Sequence, residues 1–106
     1  MTAQTVTLTV QILAFDGVEA LDFAGPYEVF TTATRMHQRL APTASAVAPA
    51  PPLFDVRAVA AASQPVRVRA GLRLLPELDF HTAPPCDVLI VPGGVVDGAL
   101  ACPRTL

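Results

Sequence analysis

Three carboxylates fall within seven residues: Asp16, Glu19 and Asp22, in the run Asp16-Gly17-Val18-Glu19-Ala20-Leu21-Asp22-Phe23-Ala24-Gly25-Pro26. Asp22 differs from the other two in its setting, between Leu21 and Phe23-Ala24. An acid flanked by apolar residues is expected to be partly buried and to hold its proton more tightly. Such a group can protonate an intermediate or activate a water. The same residue also reads as an acid at a helix start, favoured there by the helix dipole. At the far end of the chain stands Pro92-Gly93-Gly94. A glycine pair can turn sharply and aim backbone N–H groups at one point, where they stabilise developing negative charge. It also reads as a plain tight turn at the end of a strand. The glycines do not spell a nucleotide-binding loop. Gly93, Gly94 and Gly98 miss the dinucleotide spacing, and Ala99-Leu100 stand where a phosphate loop needs Lys and Ser or Thr.

Other reactive types are sparse. His37 and His81 are distant in sequence and lack partners at metal-ligand spacing, so no metal site is expected. Cys86 precedes an apolar run and is expected at the amino end of a sheet, away from a site. Cys102 lies beyond the glycine pair but has no flanking base. Two cysteines are too few for a disulfide framework, and a Cys86–Cys102 bridge is not expected.

Seven arginines, no lysine and nine acidic residues give a net charge of −2. That balance excludes an extended basic face for nucleic acid in this segment. The missing lysine excludes Schiff-base chemistry, a phosphate-loop lysine and a pyridoxal phosphate anchor within the chain. No cofactor is expected. The local basic cluster, Arg67, Arg69 and Arg73, reads as a solvated strand face or as an anion or partner contact. No stretch approaches a membrane span, and the N-terminus lacks a basic and apolar leader, so a cytoplasmic protein with reduced thiols is expected.

The elements that must position these residues follow from hydrophobic spacing. Residues 5–15 alternate, with Val6, Leu8, Val10 and Ile12 on one face, and then become continuously apolar. This predicts a strand entering a doubly covered sheet, stopped by Asp16-Gly17. Tyr27, Phe30, Ala33, Thr34 and Met36-His37 recur at helical spacing, and Ala24-Gly25-Pro26 reads as a start, so a helix is predicted over about 26–40. The Ala/Pro-rich run 41–52 predicts a loop. Residues 54–60 alternate as a second strand. Residues 65–69 and 72–75, broken by Gly71, predict a short antiparallel excursion near a sheet edge. Residues 76–86 hold Pro76, Pro84 and Pro85 and read as loop. Val88-Leu89-Ile90-Val91 reads as a central, doubly covered parallel strand, and Asp97 as the cap of a following helix. Strands alternating with helices predict an α/β fold with a mainly parallel sheet. In such sheets ligands collect beyond the carboxyl ends of the strands, where both the acidic run and Gly93-Gly94 fall.

The run from Ile12 to Phe30 resembles the opening of the DJ-1/PfpI superfamily, with its phrase of the form F-x-G-V-x-x-L-D-x-x-G-P-x-x-V. Asp87-Val88-Leu89-Ile90-Val91-Pro92-Gly93-Gly94 is similar to that superfamily's second signature. Both motifs occur in the right order, and the resemblance runs from about residue 6 to the end. It is strongest to the branch that holds isonitrile hydratases and the sensor domains of AraC-type regulators. The resemblance implies a flavodoxin-like three-layer α/β/α sandwich, of which residues 1–106 form the N-terminal portion. It implies that Asp22 is the acid beside a cysteine nucleophile, and that Gly93 and Gly94 line the nucleophile pocket. The hydratase converts an isonitrile to an N-substituted formamide, a lyase reaction. The family nucleophile sits on a strand-to-helix elbow whose place is beyond Leu106, and neither Cys86 nor Cys102 matches it. A fragment is therefore expected, with a sheet edge and apolar helix faces left uncovered. Three functions stay open: a hydratase, the small-molecule sensor of a regulator, or an inactive fragment. The expected partners are a small-molecule substrate or effector and a second copy in a homodimer, with no membrane.

Overall fold

The computed structural model describes residues 6–40 and 51–101. The predicted loop over 41–52 falls outside these residues except for Pro51 and Pro52, and Cys102 falls outside them too. The elements run β1 (Leu8–Leu13), α1 (Ala20–Leu40), β2 (Phe54–Ala60), β3 (Val66–Arg67), β4 (Arg73–Leu74), β5 (Leu78–Asp79), β6 (Val88–Ile90) and α2 (Asp97–Ala101). Four strands form one parallel sheet in the order β5-β2-β1-β6. Mainly parallel strands flanked by helices make this the flavodoxin-like α/β arrangement.

Register explains the core. Val10 stands beside Val56 and Val88, and Ile12 beside Ala58 and Ile90, so alternate residues of three strands share one face. Val10 and Ile12 are wholly buried there. Helix α1 covers this face through Phe23, Tyr27, Phe30 and Thr34, which recur every three to four residues. Phe30 meets Phe54 edge to face, with ring centroids 4.8 Å apart. Thr34 fixes the lower end of the helix. Its hydroxyl donates to the Phe30 carbonyl at 2.8 Å and accepts the Phe54 N–H at 3.2 Å. Replacing it with valine leaves that partly buried N–H without its acceptor. Thr34→Val is expected to destabilise the fold by about 1–3 kcal/mol, measurable as a lower urea midpoint with an unchanged slope.

The helix begins at Ala20, not near residue 26, because the Glu19 carbonyl already accepts the Phe23 N–H at 3.2 Å. Pro26 therefore lies inside the helix rather than at its start. Its missing N–H forgoes only the bond to the Asp22 carbonyl, one turn from the end. Gly25 has no Cβ, which relieves part of the usual clash between a proline ring and the residue before it. Burial of Phe23 and the stacking of Phe23 on Tyr27, with centroids 6.1 Å apart, hold the extra turns. Tyr27 donates its hydroxyl to Glu77 Oε1 at 2.9 Å, and the same oxygen accepts the Ala58 N–H at 3.1 Å. Burial, then this bond, push the Tyr27 phenol above its ordinary pKa.

The opposite sheet face is partly polar. Gln11 is buried there and donates to the Pro84 carbonyl at 2.8 Å, which lays the 80–84 segment across β1. Asp55 and Arg57 pair on the same face at 2.9 Å.

Several sequence expectations need correction. Val6 and Leu8 are exposed, at the amino end of the sheet where no described element covers them. The stretch expected to be loop contains β5, two residues paired in parallel with Val59 and Ala60. Strand β6 is not central among the described residues. It forms an edge, with Leu89 56% and Val91 63% exposed. Its apolar run matches a doubly covered strand, but its outer edge meets no described neighbour. The expected short antiparallel excursion is the β3–β4 hairpin, which forms a two-stranded sheet of its own. Among the described residues no helix is long and apolar enough to cross a membrane.

Candidate functional site

The chain leaves β1 through Ala14 and Phe15 and turns at Asp16-Gly17, with Gly17 at φ +93°. It leaves β6 through buried Pro92 into Gly93-Gly94, with Gly94 at φ +147°. Both segments lie at the carboxyl end of the sheet and clasp each other. The Glu19 N–H donates to the Gly93 carbonyl at 2.9 Å, and the Val95 N–H donates to the Gly17 carbonyl at 2.9 Å. Between these bonds Val18 and Gly94 form an antiparallel bridge. The approach is too close for side chains. A Cβ on Gly94 would run into the Gly17 carbonyl oxygen and stand 2.8 Å from Val18 Cα and Glu19 N. A Cβ on Gly17 would stand 2.8 Å from the Val95 carbonyl oxygen. These glycines are therefore required by backbone conformation and by space together. The clasp engages the Gly93 carbonyl and leaves the N–H groups of Gly93 and Gly94 out of its bonds.

The clasp also selects among the three carboxylates. Asp16 Oδ1 accepts the Arg67 N–H at 2.9 Å. Glu19 pairs with Arg69 at 3.5 Å. Both acids thus serve the hairpin, which is further stitched to the loop by Gly17 N–H to the Arg67 carbonyl at 2.8 Å and Arg69 N–H to the Val18 carbonyl at 2.9 Å. Asp22 alone turns the other way. Its Oδ2 lies 2.9 Å from the point where a Cβ on Gly93 would stand. The first helical turn of α1 thus delivers a carboxylate onto the glycine pair from the opposite end of the chain. Asp22 is exposed, not partly buried, because Leu21 and Ala24 beside it face outward rather than enclosing it.

A carboxylate beside backbone N–H groups that form no hydrogen bond among the described residues can move a proton beside a centre where negative charge develops. The remaining candidates stand elsewhere. Cys86 is a half-buried free thiol at the amino end of β6, where the Asp87 N–H bonds the Thr9 carbonyl at 2.9 Å. His37 lies in the last turns of α1. His81 lies past β5 on the far edge of the sheet, in a turn closed by Asp79 Oδ1, which accepts its N–H at 2.8 Å. The Ser63 hydroxyl, then the Thr82 N–H, pull the Asp79 carboxyl down to about 2. Among the described residues no group of three or more His, Cys, Asp or Glu is placed to hold a metal. Sequence reasoning missed Gly17, whose Asp16-Gly17 setting signalled a turn but not that the turn receives Val95.

Known proteins share this fold. A ThiJ/PfpI family protein from Pseudomonas syringae matches it with a TM-score of 0.70 and 25% identity, over 96% of this chain and 36% of that one. The chain fits the DJ-1/PfpI superfamily. An AraC family transcriptional regulator from Pseudomonas putida has the same fold, with a TM-score of 0.60 and 17% identity over 88% of this chain and 56% of the regulator. In sequence, the chain is 32% identical over 85 residues to a Streptomyces lividans protein known as the uncharacterized protein in the cpoL 5′ region. That match covers 80% of this chain and 50% of the relative, so the chain spans about half the length of the curated relative it matches. No family model matches the chain.

Proposed function

We propose that this chain supplies the acid and the backbone turn of a small-molecule site in a DJ-1/PfpI domain, and that the native protein is an isonitrile hydratase. The observation that supports this reading is the placement of the Asp22 carboxyl at Gly93, 2.9 Å from where a Cβ there would stand, at the carboxyl end of the sheet. The nucleophilic thiolate is assigned to residues outside this sequence. The thiolate attacks the terminal carbon of the isonitrile, and Asp22 gives that carbon a proton, forming a thioimidate. Asp22, now ionised, takes a proton from water as the water oxygen bonds to the same carbon, and passes that proton to the nitrogen. The carbon–sulfur bond then breaks as the hydroxyl proton of the adduct returns to Asp22, the thiolate is released, and an N-substituted formamide leaves. The exposure of Asp22 suits a group that must meet water. The native protein is read as a homodimer acting on a small molecule.

Asp22→Asn is expected to abolish isonitrile hydration by the native protein, with its circular dichroism spectrum unchanged. Asparagine keeps the shape and removes the proton transfer. Undiminished turnover would overturn the role given to Asp22.

A second reading has a specific observation behind it, the shared fold of the AraC family regulator. There the same site takes an effector and the protein controls transcription. That reading expects DNA binding by the native protein that a small molecule modulates. It is excluded by a native protein that binds no DNA at any salt concentration.

A further inference from the structure

The β3–β4 hairpin carries a feature that the contact between Asp22 and Gly93 does not use. Arg67 and Arg73 are direct partners in its antiparallel register. Like charges directly opposite each other repel. Both arginines are exposed, and among the described residues neither forms an ion pair. The nearby acids are already engaged, Glu19 by Arg69 and Asp16 by the Arg67 backbone. The Arg67 guanidinium folds over the hairpin turn. Its Nη2 and Nε lie 3.8 and 3.9 Å from the place of a Cβ on Gly71, which has φ +106°.

We propose that Arg67 and Arg73 form a subsite for one compact anionic group, a carboxylate or phosphate borne by a small molecule. Cross-strand partners hold their Cβ atoms about 5 Å apart, close enough for two guanidinium forks to grip a single anion. A bound anion turns the repulsion between the two cations into shared attraction. A nucleic acid needs an extended basic row, and a chain with net charge −2 has none here. The hairpin is bonded through Arg67 and Arg69 to the loop that leads into α1. The proposal does not depend on the hydratase reading.

The test uses the native protein, titrated separately with inorganic phosphate and with succinate at constant ionic strength. The arginine Nε–H signals in NMR spectra report binding. A saturable shift of the Arg67 and Arg73 signals is expected, and the tighter of the two anions identifies the chemistry of the group. Arg67→Gln and Arg73→Gln are each expected to weaken binding about tenfold, as loss of one charge-assisted pair implies. Arg39→Gln, at the end of α1, is expected to leave it unchanged. Without anion and at low salt, Arg73→Gln is expected to raise the denaturation midpoint, because the repulsion is gone. The proposal is overturned if both hairpin variants titrate like the parent protein, or if the shifts follow ionic strength alone. It is also overturned if Arg73→Gln changes only the oligomeric mass, which would assign the arginines to contact between copies.

Discussion

Gly94→Ala is expected to destabilise the native protein by about 3 kcal/mol or more, a large share of the roughly 5–15 kcal/mol that holds a domain folded. Two effects add. At φ +147° an alanine is strained by about 1–3 kcal/mol before any contact is considered. Its Cβ would then enter the space of Gly17, Val18 and Glu19, and the atoms in the way are backbone. Backbone cannot rotate aside as a side chain does. Relief requires the loop after β1 and the loop after β6 to separate, which breaks the Glu19–Gly93 and Val95–Gly17 bonds. A denaturant titration measures the loss. Gly98→Ala is the comparison. Gly98 lies in α2 with open space around a Cβ, so alanine there is expected to leave stability equal or raise it by about 0.5–1 kcal/mol. Equal behaviour of the two variants would refute the clasp.

Gly93→Ala is expected to do the reverse, leaving the protein folded while cutting activity about a hundredfold. Gly93 does not have a positive φ, so alanine is not strained by conformation. Its Cβ would stand 2.9 Å from Asp22 Oδ2, the mobile tip of an exposed side chain. The carboxylate can swing away at small energetic cost, which protects the fold. Swinging away is what the chemistry cannot tolerate, because a displacement of about 1 Å can lower a rate about a hundredfold. The discriminating measurement is turnover beside thermal unfolding on the same sample. In the sensor reading the same variant weakens effector binding and leaves DNA binding intact. A Gly93→Ala protein with full turnover and full effector affinity would remove the Asp22–Gly93 contact from the site.

The readable parts of the fold were those with strong, uninterrupted patterns. Residues 54–60 alternate between clear breakers, and β2 spans Phe54–Ala60. The two-residue strand β5 carries too little pattern to be seen between prolines, and only pairing with β2 creates it. The start of α1 was hidden because Pro26 is equally at home in a first turn. Its tolerance deeper in the helix depends on Gly25 beside it and on Phe23 and Tyr27 packing on the sheet.

The same division runs through the site. Order and residue type in the chain were enough to name an acidic run and a Pro-Gly-Gly turn, and to place both at the carboxyl end of a parallel sheet. These are local signals, carried by hydrophobic spacing and by glycine's backbone freedom. Which of the three acids serves the glycine turn is not a local property. Asp16, Glu19 and Asp22 lie within seven residues and differ little in type. The hairpin engages Asp16 and Glu19, and the first turn of α1 carries Asp22 the other way. Only the tertiary structure makes that choice, because it depends on hydrogen bonds and contacts between segments some fifty to seventy residues apart in the chain.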